Sequence, residues 1–412
     1  MRLIDSIVTE AAALTALRRD LHAHPELCFE EQRTSDVVAA RLAAWGVEVH
    51  RGLGKTGVVG VIQGRDGGRG GKKNGRMIGL RADFDALPVT EFNTFAHASQ
   101  HPGKMHACGH DGHTAMLLAA AQYLARTRDF DGTVVCIFQP AEEGGGGARE
   151  MIKDGLFARF PVQAVFGMHN WPGMAAGHFA VKAGPVMASS NEFRIRLTGK
   201  GAHAAMPHLG LDPVPAACQM VQAFQTIVTR NRDPQDPAVI SVTMIHTGEA
   251  TNVMPEAAEI EGTARTFTTA TLDLIETRMR DIATHTAAAF GLGCEFTFKR
   301  NYPPTINHAA EAAFARQVMV DLVGADAVHE FVPSMGAEDF SFMLQDKPGA
   351  YLIIGNGDGD HRAPGHGLGP CTLHNPNYDF NDDLIPLGGS FWVRLAQAWL
   401  KQGDGQALPE GA

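Results

Sequence analysis

Met105-His106-Ala107-Cys108-Gly109-His110-Asp111-Gly112-His113-Thr114 runs into the apolar stretch Ala115 to Leu124, and a short polar link then leads to Thr133-Val134-Val135-Cys136-Ile137-Phe138-Gln139. A polar loop, a helix and a short β-branched strand in that order make up the repeating unit of an α/β protein. The pattern predicts a helix over Thr114–Arg126, capped by Thr114, and a buried strand over Thr133–Gln139. The loop itself packs three imidazoles, a thiol and a carboxylate into ten residues. Cys108 and His110 stand at i and i+2, so from an extended loop both side chains point the same way. A thiolate and an imidazole suit zinc and similar borderline ions. A histidine-rich approach to a helix is also an ordinary feature, so this loop alone does not decide the chemistry.

The same alternation extends outward. Ile4–Ala23 has helical periodicity that ends at His24-Pro25, because proline disfavours helix in the residue before it. A second helix is expected over Thr34–Trp45, stopping at Gly46. Strands follow at Val58–Gln63 and Met77–Arg81, separated by the Gly/Lys/Arg-rich loop Gly64–Gly75. Beyond the quoted stretch come a helix over Ala148–Leu156 and a strand over Ala164–Met168. Such alternation argues for an open sheet with its ligands at the carboxyl ends of the strands. Near Gly184 the style changes. Phe193–Thr198 alternates apolar and polar residues, as a half-exposed antiparallel strand does. Helices over Pro213–Thr229 and Leu272–Phe290 and strands over Val239–His246, Ala258–Thr268 and Glu295–Lys299 complete a compact set. After Pro303-Pro304 a helical segment and the strand Tyr351–Gly355 resume the first style. The expected fold is α/β, an open mixed sheet flanked by helices, with a smaller α+β domain of two helices on an antiparallel sheet inserted into it. Residues 1–183 and 302–412 would form the catalytic domain, and 184–301 the insert.

At 412 residues the chain is too long for one simple core. Its net charge of −10, with no basic cluster, disfavours nucleic acid as a partner. The start, Met1-Arg2-Leu3-Ile4-Asp5, lacks the apolar core of a signal peptide, and no apolar run is long enough to span a bilayer. Cys28, Cys108, Cys136, Cys218, Cys294 and Cys371 show no disulfide-framework spacing. A cytoplasmic protein with reduced thiols is therefore expected, its tail after Gln402 disordered.

Three further segments carry chemistry. Pro140-Ala141-Glu142-Glu143-Gly144-Gly145-Gly146-Gly147 follows the strand Thr133–Gln139. Acidic residues favour a helix N-terminus, which is one reading. The other is that one glutamate binds metal while its neighbour carries a proton, since adjacent carboxylates repel and four glycines cost chain entropy. Val165-Phe166-Gly167-Met168-His169-Asn170 places an imidazole at a strand end. Leu373-His374-Asn375-Pro376-Asn377-Tyr378-Asp379-Phe380 holds another in a rigid polar loop.

Together these segments resemble the two-metal amidohydrolases of the carboxypeptidase G and aminoacylase family, in the branch of hippurate hydrolases and N-acyl-amino-acid amidohydrolases. The resemblance covers nearly the whole chain. It begins at Leu21-His22-Ala23-His24-Pro25-Glu26-Leu27 and includes Arg81-Ala82-Asp83-Phe84-Asp85-Ala86-Leu87-Pro88. It continues through the Cys108 loop, Glu142-Glu143, Gly167-Met168-His169-Asn170, Asn252-Val253-Met254-Pro255, Met335-Gly336-Ala337-Glu338-Asp339-Phe340 and the His374 loop. The wider family has a metal-binding histidine where this chain has Arg81; the hippurate-hydrolase branch shares that departure.

The resemblance implies two divalent ions, zinc or manganese with cobalt or nickel as options, held by Cys108, His110, Glu143, His169 and His374. Cys108 would bridge them, His110 and His169 serving one ion and Glu143 and His374 the other. Glu142 would be the general base and Asp83 would orient a ligand histidine. It further implies a homodimer through the inserted domain, with His203 completing the partner's site, and substrate contacts from Asn252, Arg265 and Gly336. The substrate would be a small N-acyl or N-aroyl amino acid such as hippurate, with no membrane partner. Other readings stay open on the residues alone: a deacetylase of a biosynthetic N-acetyl diamino acid, a thiol amidase with Cys108 as nucleophile, or a binding module that has lost its ions.

Overall fold

The computed structural model describes residues 2–65, 75–357 and 372–402. Most of the expected loop Gly64–Gly75, Cys371 and the tail after Gln402 lie outside the described residues. The chain divides into two compact units. The larger comprises Met1–Gly184, Ile306–Val332 and Asp339–Ala412, and the smaller Pro185–Thr305 with Pro333–Glu338. The short segment Pro333–Glu338, which carries Gly336, thus groups with the smaller unit.

The larger unit is built on an eight-stranded mixed sheet. Its centre is the strand Met77–Asp83, parallel to Thr133–Gln139 on one side and to Ala164–Pro172 on the other. Gly349–Gly357 continues the parallel run beside Ala164–Pro172. A hairpin of Glu48–Leu53 and Gly57–Gln63 closes one edge antiparallel. The central strands are buried on both faces, which is why they read as unbroken apolar runs. Register pairs Asp83 with Gln139, so the carboxyl ends of these two strands lie level and feed their loops into one place.

Three expectations about elements need correction. The helix after the histidine-rich loop begins at His110, not Thr114, and runs to Thr127. Its N-cap is Gly109 at φ +87, with no side-chain cap, while the Thr114 hydroxyl donates instead to the Asp83 carbonyl at 3.1 Å. The helix expected over Ala148–Leu156 breaks into Gly147–Lys153 and Leu156–Arg159 at Gly155, φ +90. The strand carrying His169 is also longer than expected, Ala164–Pro172.

The helix Leu384–Lys401, which the sequence reading passed over, supplies Phe391, Trp392 and Leu395 to the core of the larger unit. It crosses the helix His110–Thr127 at Gly388 and Gly389, where added Cβ atoms would lie 2.1 Å from Met116 Sδ and 2.8 Å from Ala119 Cβ. Arg18 and His22 of the helix Asp5–Ala23 reach the same region. Arg18 Nη1 lies 3.3 Å from Asp111 Oδ2 and 3.0 Å from Asp379 Oδ1. His22 Nδ1 is 2.9 Å from Asp111 and its Nε2 3.2 Å from Glu91.

The smaller unit is a four-stranded antiparallel sheet in the order Ala238–His246, Ala257–Thr266, Ser190–Thr198, Gly293–Tyr302. The helices Pro213–Thr226 and Thr269–Ala289 bury Met220, Phe224, Ile275 and Met279 with Phe193, Ile195, Leu197 and Ile260 of the sheet. Among the described residues no helix is long and apolar enough to cross a membrane.

Two outcomes are expected. Gly388→Val should lower unfolding stability by about 1–3 kcal/mol through overpacking against Met116; an unchanged urea midpoint would mean the helix crossing is not tight. Burial disfavours charge on His22, yet Asp111 and Glu91 outweigh it and hold its pKa up at about 9. A raised folded pKa contributes stability that is complete below the unfolded value of about 6.5 and is lost as pH rises through the folded value. The stability advantage of wild type over His22→Gln should therefore shrink between these two pH values. A difference that stays constant from pH 6 to 10 would show that His22 is not charged in the fold.

Candidate metal centre

The carboxyl ends of the central strands and the start of the helix His110–Thr127 converge on one group of donors, all in the larger unit. Cys108, His110 and His169 offer donor atoms within 4.8 Å of one another, and so do Cys108, Glu143 and His374. The two groups share Cys108. A further one, of His110, Glu142 and Glu143, places Glu142 beside both.

Local backbone explains why these residues meet. Gly109 must turn left-handed between the thiol and the imidazole, and a Cβ there would lie 2.4 Å from both Asn170 Nδ2 and Tyr378 Oη. Cys108 and His110 therefore converge through a tight helix start rather than an extended loop. His374 is itself left-handed, φ +66, and its N–H donates to the Ala107 carbonyl at 2.8 Å. Glu142 and Glu143 lie in a turn, Gly144 N–H to Glu142 carbonyl at 2.7 Å, and the next helix does not start until Gly147. They are outside its first turn, so stabilising that helix is not what they do.

Hydrogen bonds fix which nitrogen of each imidazole faces the group. His110 Nδ1 lies 2.9 Å from the Asp85 carbonyl and 3.2 Å from its carboxylate. A carbonyl only accepts, so Nδ1 carries the proton, and the buried Nε2 has no hydrogen-bond partner. His169 Nδ1 donates to the Asn170 carbonyl at 2.6 Å, leaving Nε2 3.3 Å from Cys108 Sγ. A ring nitrogen tied to a carbonyl or carboxylate with the other left open is the usual arrangement of a ligating histidine. His374 Nε2 is 3.2 Å from Glu143 Oε1.

His113 is different. Its Nε2 accepts from the Asn170 N–H at 2.9 Å and its Nδ1 donates to Asp83 Oδ1 at 2.6 Å, so both nitrogens are committed. Asp83 thus orients His113, and its other oxygen stands 3.7 Å from His110 Nε2. The carboxylate that holds His110 is Asp85, two residues further along the same segment, which also accepts from the Glu143 N–H at 2.9 Å. Sequence reasoning passed over Asp85, although its alternation with Asp83 was a signal. His106 is buried, with a pKa that burial lowers to about 4, and it joins none of the donor groups found among the described residues.

The electrostatics favour a cation. Burial opposes a proton on His110, but Asp83, Asp85 and Glu143 hold its pKa up at about 10. Burial and the charges of Glu143 and Glu142 raise the Cys108 thiol well above its usual range. Burial lowers His169 well below its own, which keeps that imidazole neutral. Soft and borderline donors, an open Nε2 and surplus negative charge fit a divalent ion at each of the two groups.

The remaining predicted residues belong to the smaller unit. His203 is exposed on a two-residue strand, Ala202–His203, paired with Val253–Met254, and Asn252 adjoins it through its carbonyl, which accepts from the Ala204 N–H at 3.0 Å. Arg265 is half-buried opposite Val239 in the sheet, and burial lowers its pKa. Gly336 is exposed, its carbonyl 2.9 Å from the Ala188 N–H.

Residues 79–398 match the family described as Peptidase family M20/M25/M40. The chain is 39% identical to a hippurate hydrolase of Campylobacter jejuni over 402 residues, 97% of this chain and all of that one. It is 39% identical to an N-acetyl-L-cysteine deacetylase of Bacillus subtilis, covering 95% of this chain and 89% of that protein. A solved Bacillus subtilis structure, described as a dinuclear metal-binding peptidase from the M20 family, superposes with a TM-score of 0.81 at 32% identity, over 96% of this chain and 99% of that one. With most of its length matched in sequence and in fold, the chain belongs to peptidase family M20/M25/M40.

Proposed function

We propose that this protein hydrolyses the amide bond of N-acyl amino acids with the help of two divalent ions. The observation that carries the reading is the pair of three-donor groups sharing Cys108, with Glu142 at their side. Cys108, His110 and His169 would hold one ion, and Cys108, Glu143 and His374 the other, leaving each ion room for water and substrate. When bound, the ions polarise the amide carbonyl and acidify water; zinc suits the thiolate best, and manganese, cobalt and nickel suit the oxygen and nitrogen donors. Glu142 takes the proton of the attacking water and returns it to the departing amine. Its Oε1 accepts from the Asp339 N–H at 3.3 Å, a contact that would orient the carboxylate for this task. Asp83 and Asp85 set the tautomers of His113 and His110.

Similarity to a hippurate hydrolase supports an aroyl group, and similarity to a deacetylase supports an acetyl group. Half-buried Trp171, its ring 6.4 Å from that of His169, offers an aromatic face beside the centre and favours the aroyl reading. The five cysteines among the described residues are all free, which supports a reducing, cytoplasmic setting.

Glu142→Gln should keep the metals and lose at least ~10²–10⁴-fold in turnover of benzoyl- and acetyl-amino acids, the usual share of general acid–base catalysis. Activity within tenfold of wild type at unchanged metal content would sink the assignment.

The same reading includes a two-fold dimer through the smaller unit, with His203 reaching the partner's centre to stabilise the oxyanion while Asn252, Arg265 and Gly336 contact substrate. Support comes from the outermost strand of its sheet, Ala238–His246, which exposes Met244 and Ile245. His203→Ala and Glu142→Ala should each be nearly inactive. In an equal mixture half the dimers are mixed, and each mixed dimer has one site carrying both defects and one carrying neither, so activity should return to about a quarter of wild type. Proven mixed dimers that stay inactive would rule out the shared site.

A further inference from the structure

The turn that carries Glu142 and Glu143 is held from a distant part of the chain. Glu31, fully buried, stands just before the helix Gln32–Ala44. Its Oε1 accepts from two backbone N–H groups, those of Phe29 and Ala141, each at 2.9 Å. Its Oε2 accepts from Thr56 Oγ1 at 2.6 Å. Both gripped amides belong to residues in the left-handed region, Phe29 at φ +63 and Ala141 at φ +53. A side chain makes that conformation unfavourable, so something around each residue must enforce it. For Ala141, fully buried, the enforcing contacts are the Glu31 carboxylate on its N–H and the Gly147 N–H on its carbonyl at 3.0 Å.

We propose that Glu31 is a positioning residue for the hydrolytic reaction, its carboxylate holding Ala141 left-handed so that the next two residues, Glu142 and Glu143, face the shared donor groups. The proposal rests on the reading of Glu142 as proton carrier and Glu143 as ligand. Were Ala141 to relax to negative φ, the chain direction at this turn would change and Glu142 would leave its hydrogen bond with the Asp339 N–H. Asp85 pins the Glu143 N–H from the other side, so a loosened Ala141 shifts the base more than the ligand. The expected defect is in turnover rather than in substrate binding. Burial pushes the Glu31 carboxyl up to about 7 despite the Thr56 hydrogen bond, so a neutral group of the same shape is tolerated here.

The test is a set of variants assayed at saturating metal, with metal content measured on each. In Glu31→Gln the amide oxygen still accepts both N–H groups and the Thr56 hydroxyl turns to accept from the amide; kcat should stay within about threefold of wild type. Glu31→Ala leaves the Ala141 N–H buried without its acceptor; kcat should fall at least about twentyfold, the rate equivalent of one unpaired buried group, with KM within about twofold. Ala141→Gly alone should change little, because glycine takes positive φ without cost. Combined with Glu31→Ala it should recover at least about fivefold in kcat, since the clamp is no longer needed. A role confined to overall stability would not be relieved by one glycine at position 141. Wild-type kcat in Glu31→Ala, or no recovery in the double variant, overturns the proposal. If Glu31→Ala fails to fold, Glu31→Asp, too short to reach both amides, takes its place with the same expectations. Retained activity in Glu142→Gln would instead overturn the underlying reading, an outcome independent of the Glu31 series.

Discussion

One buried cation organises the centre. Arg81 is 1% exposed and lies between two carboxylates, Nη1 2.7 Å from Asp83 and Nη2 3.1 Å from Asp339, with its Nε donating to Gln139 Oε1 at 2.8 Å. Burial alone would raise the Asp83 pKa, yet Arg81, with His110 and His113, holds that carboxyl well below its usual range. Removing one partner of such a pair leaves a buried uncompensated charge, at a cost of about 3–5 kcal/mol. From Asp339 the network continues to the Ala148 N–H at 2.9 Å and, through its own N–H, to Glu142. From Asp83 it runs through His113 to the Asn170 backbone, and Asn170 Nδ2 donates to the Cys108 carbonyl at 2.7 Å. Glu142 and Cys108 are therefore both tied by hydrogen bonds to the same guanidinium.

That arrangement gives Arg81 a task other than metal binding. A guanidinium is always charged and offers no lone pair, so Arg81 cannot ligate a metal. The candidate donors sit instead at the start of the neighbouring helix, where Gly109 brings Cys108 and His110 together. The strand end keeps a structural task instead, with Arg81 joining the carboxyl ends of Met77–Asp83 and Thr133–Gln139 to the segment before the helix Ser341–Asp346.

The elements were most legible where burial on two faces leaves an unbroken apolar run, as in Met77–Asp83, Thr133–Gln139 and Gly349–Gly357. Ends were less legible because contacts far along the chain set them. Thr114 looks like a cap, but its hydroxyl is taken by Asp83 and the helix extends back to a left-handed glycine. The strand through His169 runs on because Trp171 and Pro172 find partners in Gly355 and Gly357. The donor residues stood out in sequence through chemical type and family resemblance. Their holders did not: Asp85 reaches His110 across 25 positions and Glu31 reaches Ala141 across 110. Local spacing carries no trace of such pairings.

The glycines after Glu143 show what two adjacent carboxylates facing one group of donors require of the backbone. In a strand, neighbouring side chains point to opposite faces, and in a helix they diverge by about 100° around the axis. A tight turn avoids both outcomes, but it needs residues that accept positive φ and close approach. Gly144 at φ +91 and Gly146 at φ +69 supply the first. Gly147 supplies the second, since a Cβ there would lie 1.7 Å from the Pro140 carbonyl oxygen. The turn closes through the Gly147 N–H on Ala141, the Glu31 carboxylate on the Ala141 N–H and the Asp85 carboxylate on the Glu143 N–H. Entropy lost by ordering four glycines is thereby offset by the acceptors that the N–H groups of Ala141, Glu143, Gly144 and Gly147 find, two of them carboxylates, which bind N–H groups more strongly than neutral oxygens do. The acidic pair keeps a fixed direction because each carboxylate that holds it is buried and accepts from more than one donor.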